Sequence, residues 1–260
     1  MVDYLRRLLI DAVSEFEVDR QPRTGWRAPL VAVADAADPL FPSLKEIVRP
    51  THALPEDLLA GARSVVAFFL PFDTSVPLTN REGRAASETW ARAYVETNEL
   101  IAAVSRHLAE GLRQRGYRSA LMPATHNFDE ATLMSDWSHK HVAYIAGLGT
   151  FGLHHMLITA AGCGGRLGTL VTDAVLPATP RPAHEACLHK HDGTCGLCVK
   201  RCVADALTMS GTDFDRQACH AVCLENETRY KHLGHAGVCG KCAAGMPCTI
   251  TDPVAKLEAR

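Results

Sequence analysis

The sequence predicts an α+β protein in two parts: a mixed α/β domain over residues 1–180 and a small thiol-rich domain over 181–260. Three observations carry that reading. Apolar residues recur at helical spacing in separate segments, short all-apolar runs suited to buried strands lie between them, and nine of the ten cysteines fall between Cys187 and Cys248. With 260 residues and 47% apolar content, the chain can fill a sizeable core.

The elements follow in order. From Tyr4 to Val18, Leu8, Leu9, Ala12, Val13 and Phe16 share one helical face with charges between them. Pro22, Gly25 and Pro29 then break the chain before Leu30 to Ala34, a short apolar strand. A clearer strand runs from Ser64 to Leu70 and is closed by Pro71. The longest periodic segment, Ala85 to Arg115, repeats Trp90, Tyr94, Thr97, Ile101, Val104, Leu108 and Leu112 every three or four residues, and Gly116 stops it. Ser119 to Met122 reads as a strand ended by Pro123, Ser138 to Ile145 as a shorter helix, and Arg166 to Val175 as another strand. Pro177, Pro180 and Pro182 mark a domain edge. Beyond it the chain is short on apolar runs and rich in Cys, Gly, Lys and His, so inorganic cross-links must supply what a hydrophobic core cannot.

Twenty-seven basic residues against 29 acidic ones leave a net charge of −2, which excludes a global field drawing the molecule to nucleic acid or an anionic membrane. No apolar run is long enough to span a bilayer, and Met1 to Arg7 lacks a cationic lead followed by an apolar segment. These features predict a cytoplasmic protein with no membrane partner, whose thiols stay reduced instead of pairing as disulfides.

The thiols fall into two sets. The first is Cys187 followed by Cys195-x2-Cys198-x3-Cys202, and the second is Cys219, Cys223 and Cys239-x2-Cys242-x5-Cys248. Each C-x2-C piece resembles the bacterial ferredoxin run, in which three thiolates bind one iron–sulfur cube and the fourth reaches across to the other. The resemblance implies a ferredoxin-like domain with two [4Fe–4S] clusters. That crossing rule assigns Cys187, Cys195, Cys198 and Cys248 to one cluster and Cys202, Cys219, Cys239 and Cys242 to the other, leaving Cys163 and Cys223 over. The pattern departs from the standard run in the seven residues between Cys187 and Cys195, the absence of proline after Cys202, and the five residues before Cys248. Repeated C-x2-C pairs also describe structural zinc sites, although zinc requires neither the close third thiol at Cys202 nor the isolated Cys219.

Ahead of the thiols stand Ala146-Gly-Leu-Gly-Thr-Phe-Gly-Leu153, Met156-Leu-Ile-Thr159 and Arg166-Leu-Gly-Thr-Leu-Val-Thr-Asp173. In this order they resemble the motifs of epoxyqueuosine reductases and reductive dehalogenases, which place such a module just before a two-cluster ferredoxin domain. The resemblance covers about Trp137 to Cys248. It implies a nitroreductase-like N-terminal domain holding cobalamin without its lower base, near Gly147, Leu148, Gly149, Phe151, Gly152 and Thr159, with the clusters feeding electrons one at a time to cobalt. It also implies an electron donor such as a ferredoxin or flavodoxin and a small-molecule or nucleoside substrate, transfer RNA being the less favoured. From spacing alone, the glycines serve close approach to a flat cofactor and a tight backbone junction equally well. Epoxyqueuosine reductases carry a C-terminal helical-repeat extension and respiratory dehalogenases a twin-arginine signal; this sequence has neither, which predicts a compact relative of both.

The segment from His126 to His141 concentrates acids and imidazoles. In the related reductases a proton-donating acid lies upstream of the glycine loop, so Asp136 is the first catalytic candidate and Asp129 the second, with capping of the next helix as the plain alternative for Asp136. His154 and His155 read as polar turn residues, and Cys163 as a small buried side chain. The histidines among the cysteines, such as His189 and His220, read as hydrogen-bond partners of cluster sulfurs. Two function classes remain: a cluster- and corrinoid-dependent reductase, and a non-catalytic electron-transfer or reductive-activation protein without corrinoid.

Overall fold

The computed structural model describes residues 1–124 and 128–258. His126 and Asn127, part of the acid- and imidazole-rich segment, lie outside the described residues. The chain begins with α1 (Val2–Arg20), β1 (Leu30–Asp35), α2 (Leu40–Ile47) and the single turn α3 (Pro55–Leu58). It continues through β2 (Ser64–Pro71), the short α4 (Ser75–Thr79), the long α5 (Glu88–Arg113) and β3 (Ser119–Leu121). A small hairpin of β4 (Phe128–Asp129) and β5 (Met134–Ser135) leads to α6 (His139–Ile145), a second hairpin of β6 (Gly149–Phe151) and β7 (Leu157–Thr159), and β8 (Gly165–Thr172). The thiol-rich segment holds α7 (Leu188–Asp192), α8 (Leu197–Lys200), α9 (Arg216–Arg229) and α10 (Pro253–Glu258).

One four-stranded antiparallel sheet, ordered β1-β2-β8-β3, forms the centre. Every residue of β2 is buried, because helices cover both faces of the sheet. The period of two sends Val66, Phe68 and Leu70 to the face under α1 and α5, and Val65, Ala67 and Phe69 to the face under α2 and α6. The Phe68 ring lies over Gly168, its cross-strand partner, where a Cβ would come within 2.2 Å of it. Helix α5 starts where the Ser87 hydroxyl accepts from the Trp90 amide, which trims the expected start at Ala85 by a few residues. The mixed α/β expectation therefore holds, with all pairings in the main sheet antiparallel.

Several elements were not read from the sequence, α2 and α9 among them. Pro39 and Pro42 sit at the N-cap and in the first turn of α2, where no intrahelical amide bond is lost. Helix α9 buries only Val222 and Asn226, so it has no apolar stripe to read. Among the described residues, no helix is long and apolar enough to cross a membrane.

The thiol-rich segment shares its cores with the sheet domain. Leu153, Ile158 and Cys163 pack with Ala186, Cys187, Cys198 and Met246, and Phe72, Ala86 and Trp90 pack with Ala244. Polar staples cross the same seam: Lys241 Nζ donates to the carbonyls of Asn80 and Glu82, the Ala86 amide to Asn226 Oδ1, and the Cys163 and Gly164 amides to the carbonyls of Cys248 and Thr249.

Candidate metal centre

Folding sorts the cysteines into two cavities. Cys187, Cys195, Cys198 and Cys248 line a narrow hollow of about 20 Å³ together with Leu153, His154 and His189. Cys202, Cys219, Cys223, Cys239 and Cys242 line a larger one of about 220 Å³, with Cys163, Trp90 and Gly240 in its wall. The local reasons differ. Asp215 caps α9 through the Ala218 amide, and the helix then presents Cys219 and Cys223 one turn apart on one side. The last thiol, Cys248, reaches the first hollow because the loop at residues 163–164 pairs with 248–249. Gly162, with φ 85°, permits that pairing, since a Cβ there would lie 2.4 Å from the Thr249 carbonyl oxygen.

Burial pushes the Cys198 thiol up to about 12, helped by the sulfurs of Cys248, Cys187 and Cys195. Burial likewise raises Cys242, with Cys239, Cys219 and Cys202 adding to it. The Cys219–Cys223 hydrogen bond lowers Cys219 and raises Cys223, so one of this pair keeps its proton. Such convergent sulfurs ionise together only around a strong positive charge, which is the condition a metal centre supplies. A second feature fits the same group. The indole of Trp90 is 5% exposed, and its Nε1–H finds no acceptor among the described residues. Its ring edge stands where a Cβ on Gly240 would be, 2.3 Å from Nε1, in the wall of the larger thiol cavity. A buried donor without a partner is costly, and sulfur in that cavity would satisfy it.

A solvent-open cleft of about 790 Å³ lies against this region. Its wall includes Phe151, Gly152 and Leu153 from the β6–β7 hairpin, Lys140 and His141 from α6, His155, Glu185, Lys190, Phe214 and Arg216. Leu153 and His189 are shared with the smaller thiol hollow. A further hollow of about 180 Å³ has Lys140 at one side and Met156, Cys163 and Arg166, which also line the larger thiol cavity, at the other.

Of the residues assigned to a cofactor from the motif, Phe151 and Gly152 line the cleft. Gly147, Leu148 and Gly149 line a different hollow, beside Asp252 and Lys256. The space their missing side chains free is filled by the protein: the Pro180 carbonyl at Gly147 and the Ile158 carbonyl at Gly149. Thr159 is fully buried and donates to the Gly162 carbonyl. At Gly152 the freed space is likewise filled, by the His154 ring and Ile158, so protein packing accounts for all three glycines, while Phe151 and Gly152 also line the cleft.

Neither candidate acid lines the cleft. Asp136 accepts from the Thr51 hydroxyl at 2.5 Å and pairs with Arg49 at 3.2 Å, and Ser138, not Asp136, occupies the N-cap of α6. Asp129 accepts from the Thr132 amide and hydroxyl, which hold its carboxyl below the usual range. The titratable groups that do face the cleft include His141 from the imidazole-rich segment, together with Lys140 and Arg216, to which the sequence assigned no role. Lys140 donates to the His155 carbonyl; burial, then Arg216, lowers its pKa, and the Cys242 and Cys219 sulfurs oppose that. His141 bonds the Ser138 hydroxyl at 2.7 Å and is held down to about 4 by burial and the cations around it. His154 lies in a turn as expected, but it is 4% exposed and 3.4 Å from the Cys248 sulfur.

No protein-family model matches the chain, and no curated protein matches it. Solved structures do. An epoxyqueuosine reductase solved with a tRNA-Tyr epoxyqueuosine-modified tRNA stem loop superposes with a TM-score of 0.58 at 19% identity, over 96% of this chain and 66% of that one. The epoxyqueuosine reductase from Streptococcus thermophilus gives 0.58 at 14% identity, over 93% and 65%. A reductive dehalogenase, whose structure suggests a mechanism for B12-dependent dehalogenation, gives 0.56 at 16%, over 88% and 31%. The chain therefore spans a little under two thirds of the reductases and about a third of the dehalogenase. At these identities the likeness is one of fold: this chain is built as epoxyqueuosine reductases and reductive dehalogenases are built.

Proposed function

We propose that the protein is an iron–sulfur oxidoreductase of the epoxyqueuosine reductase kind. Cys187, Cys195, Cys198 and Cys248 hold one [4Fe–4S] cluster; Cys202, Cys219, Cys239 and Cys242 hold the other, and Cys223 stays a neutral thiol beside Cys219. The observation that carries this reading is the division of the thiols between two cavities, with Cys248 crossing over to the earlier set. The unpartnered Trp90 indole N–H in the larger cavity supports it, because inorganic sulfide is an acceptor that zinc would not provide.

The cleft beside the thiols is the site for a corrinoid and a small or nucleoside substrate, with transfer RNA the less favoured. A corrinoid bound there would supply one-electron redox chemistry between the clusters and the substrate. Phe151 and Phe214 put apolar aromatic surface in the cleft wall, braced by His141 and His155. Lys140 and Arg216 bring positive charge to the wall nearest the thiols, where it offsets the charge of the clusters. Lys140 also holds a proton at Nζ facing the cleft, made easier to release by burial. Asp136 serves as proton donor only in a state where Arg49 and Thr51 release it. A small carrier such as a ferredoxin or flavodoxin supplies the electrons.

Protein purified without oxygen is expected to be brown, with iron and acid-labile sulfide in the amounts two [4Fe–4S] clusters require. Cobalamin added anaerobically is expected to stay bound through gel filtration with the spectrum of the base-off form. A colourless protein that retains zinc defeats the whole reading. Clusters without cobalamin retention at saturating cofactor leave the electron-transfer function alone.

A further inference from the structure

His154 lies inside the protein, in the wall of the smaller thiol hollow. Its Nδ1 accepts the Met156 backbone amide at 3.1 Å, so that nitrogen keeps its lone pair and the ring proton sits on Nε2. Nε2 is 3.4 Å from the Cys248 sulfur, within the range of an N–H···S hydrogen bond. The backbone is shaped for this contact. A Cβ at Gly152 would lie 2.6 Å from the imidazole Cε1 and 2.9 Å from Nδ1, so only glycine leaves room for the ring. The Cys163 sulfur completes a trio with all donor atoms within 4.8 Å of one another, and Cys163 has the Ala243 carbonyl, at 3.9 Å, as a second acceptor.

We propose that His154 is a positioning residue that sets the reduction potential of the cluster bound at Cys187, Cys195, Cys198 and Cys248, through its Nε2–H bond to the Cys248 sulfur. The inference rests on the iron–sulfur reading above. A reduced cluster carries one more negative charge than an oxidised one, so a donor fixed on a ligand sulfur stabilises the reduced form more and raises the potential. The imidazole is held at both nitrogens and shielded from water, which keeps that effect undiluted. On the second cluster's cysteines the donor is a backbone one, the Ala206 amide to the Cys202 sulfur at 3.3 Å, and among the described residues no imidazole bonds those sulfurs, so the two potentials are set by different groups.

The test is an EPR-monitored redox titration of anaerobically reconstituted protein. His154→Phe removes the N–H; Gly152→Ala keeps the histidine and displaces its ring. Both are expected to shift one midpoint negative, by about tenfold in the one-electron equilibrium, or ~59 mV, and to leave the other midpoint in place. Either variant with full iron content and two unchanged midpoints overturns the proposal. Pulsed EPR on the reduced wild-type protein with 15N-labelled histidine decides the matter independently of how the variants fold. A histidine nitrogen coupled to one cluster is expected, and its absence overturns the proposal. A wild-type protein that holds no iron would instead mark failure of the iron–sulfur reading.

Discussion

The sheet domain and the thiol-rich segment are held together by different physics. Strand β2 is buried along its whole length between two helical layers, and its side chains fill both cores without one hydrogen bond from a side chain of its own apart from Ser64, whose hydroxyl accepts the Leu176 amide. The thiol-rich segment has little apolar surface to bury, and its helix α9 hides only two residues. What fixes it is two small apolar contacts with the sheet domain, a seam of polar staples to residues 80–86 and 162–164, and sulfurs gathered in shared cavities. Burial is non-directional and tolerates the absence of a ligand. Converging sulfurs need something between them. The first region is therefore expected to be a stable platform, and the second to depend on its inorganic content.

The comparison breaks most visibly on removal of metal. Chelation or air oxidation is expected to expose the segment after residue 185 to protease while the sheet domain stays resistant. Equal loss of both regions would show that they fold as one unit. A core substitution attacks the other side: Phe68→Ala is expected to cost about 3–5 kcal/mol in denaturant unfolding, with the iron content per folded molecule unchanged.

A third prediction concerns acid. His139 is buried, bonded to Thr169 Oγ1 and the Pro123 carbonyl, and burial lowers its pKa to about 4. An unfolded histidine takes up a proton near pH 6.5, so between about 6.5 and 4 the unfolded state binds more protons and stability falls as the pH falls. The contribution is complete above pH 6.5 and amounts to at most about 3 kcal/mol over the window. Urea titrations followed by tryptophan fluorescence should show this slope, weakened in His139→Gln; Trp137, which donates to the same Thr169 hydroxyl, is a local reporter. The smallest effect is expected at Asp136. Asp136 is more than half exposed and Arg49 only partly buried, so Asp136→Asn should change stability by no more than about 1 kcal/mol. A large loss of turnover at that small cost would show that Asp136 enters the cleft during reaction, and unchanged turnover would leave proton delivery to the groups already there.

Much of this could be read from the residues. The apolar run at Ser64 to Leu70 read as a strand and the periodicity from Ala85 to Arg115 as a long helix, and both are there. Cysteine spacing gave two sets along the chain, and the structure exchanges Cys202 and Cys248 between them, as the ferredoxin resemblance implies, with Cys223 beside the second set. The glycine motif was harder. Gly147, Gly149 and Gly152 look alike in sequence, yet one clears a chain crossing, one a hairpin partner and one the His154 ring. His154 read only as a polar turn residue, and Lys140 and Arg216 drew no role from the sequence.

What the sequence determined alone was whatever depends on near neighbours: helix and strand periods, the caps and stops, and the clustering of soft ligands in one stretch of chain. The tertiary structure decided which groups from distant segments meet. Cys248 is joined to His154 across 94 residues, and Lys140 and Arg216 are set in one cleft wall from separate helices. Such contacts arise because a buried donor must find an acceptor wherever the packed chain happens to bring one, and local spacing carries no record of that meeting.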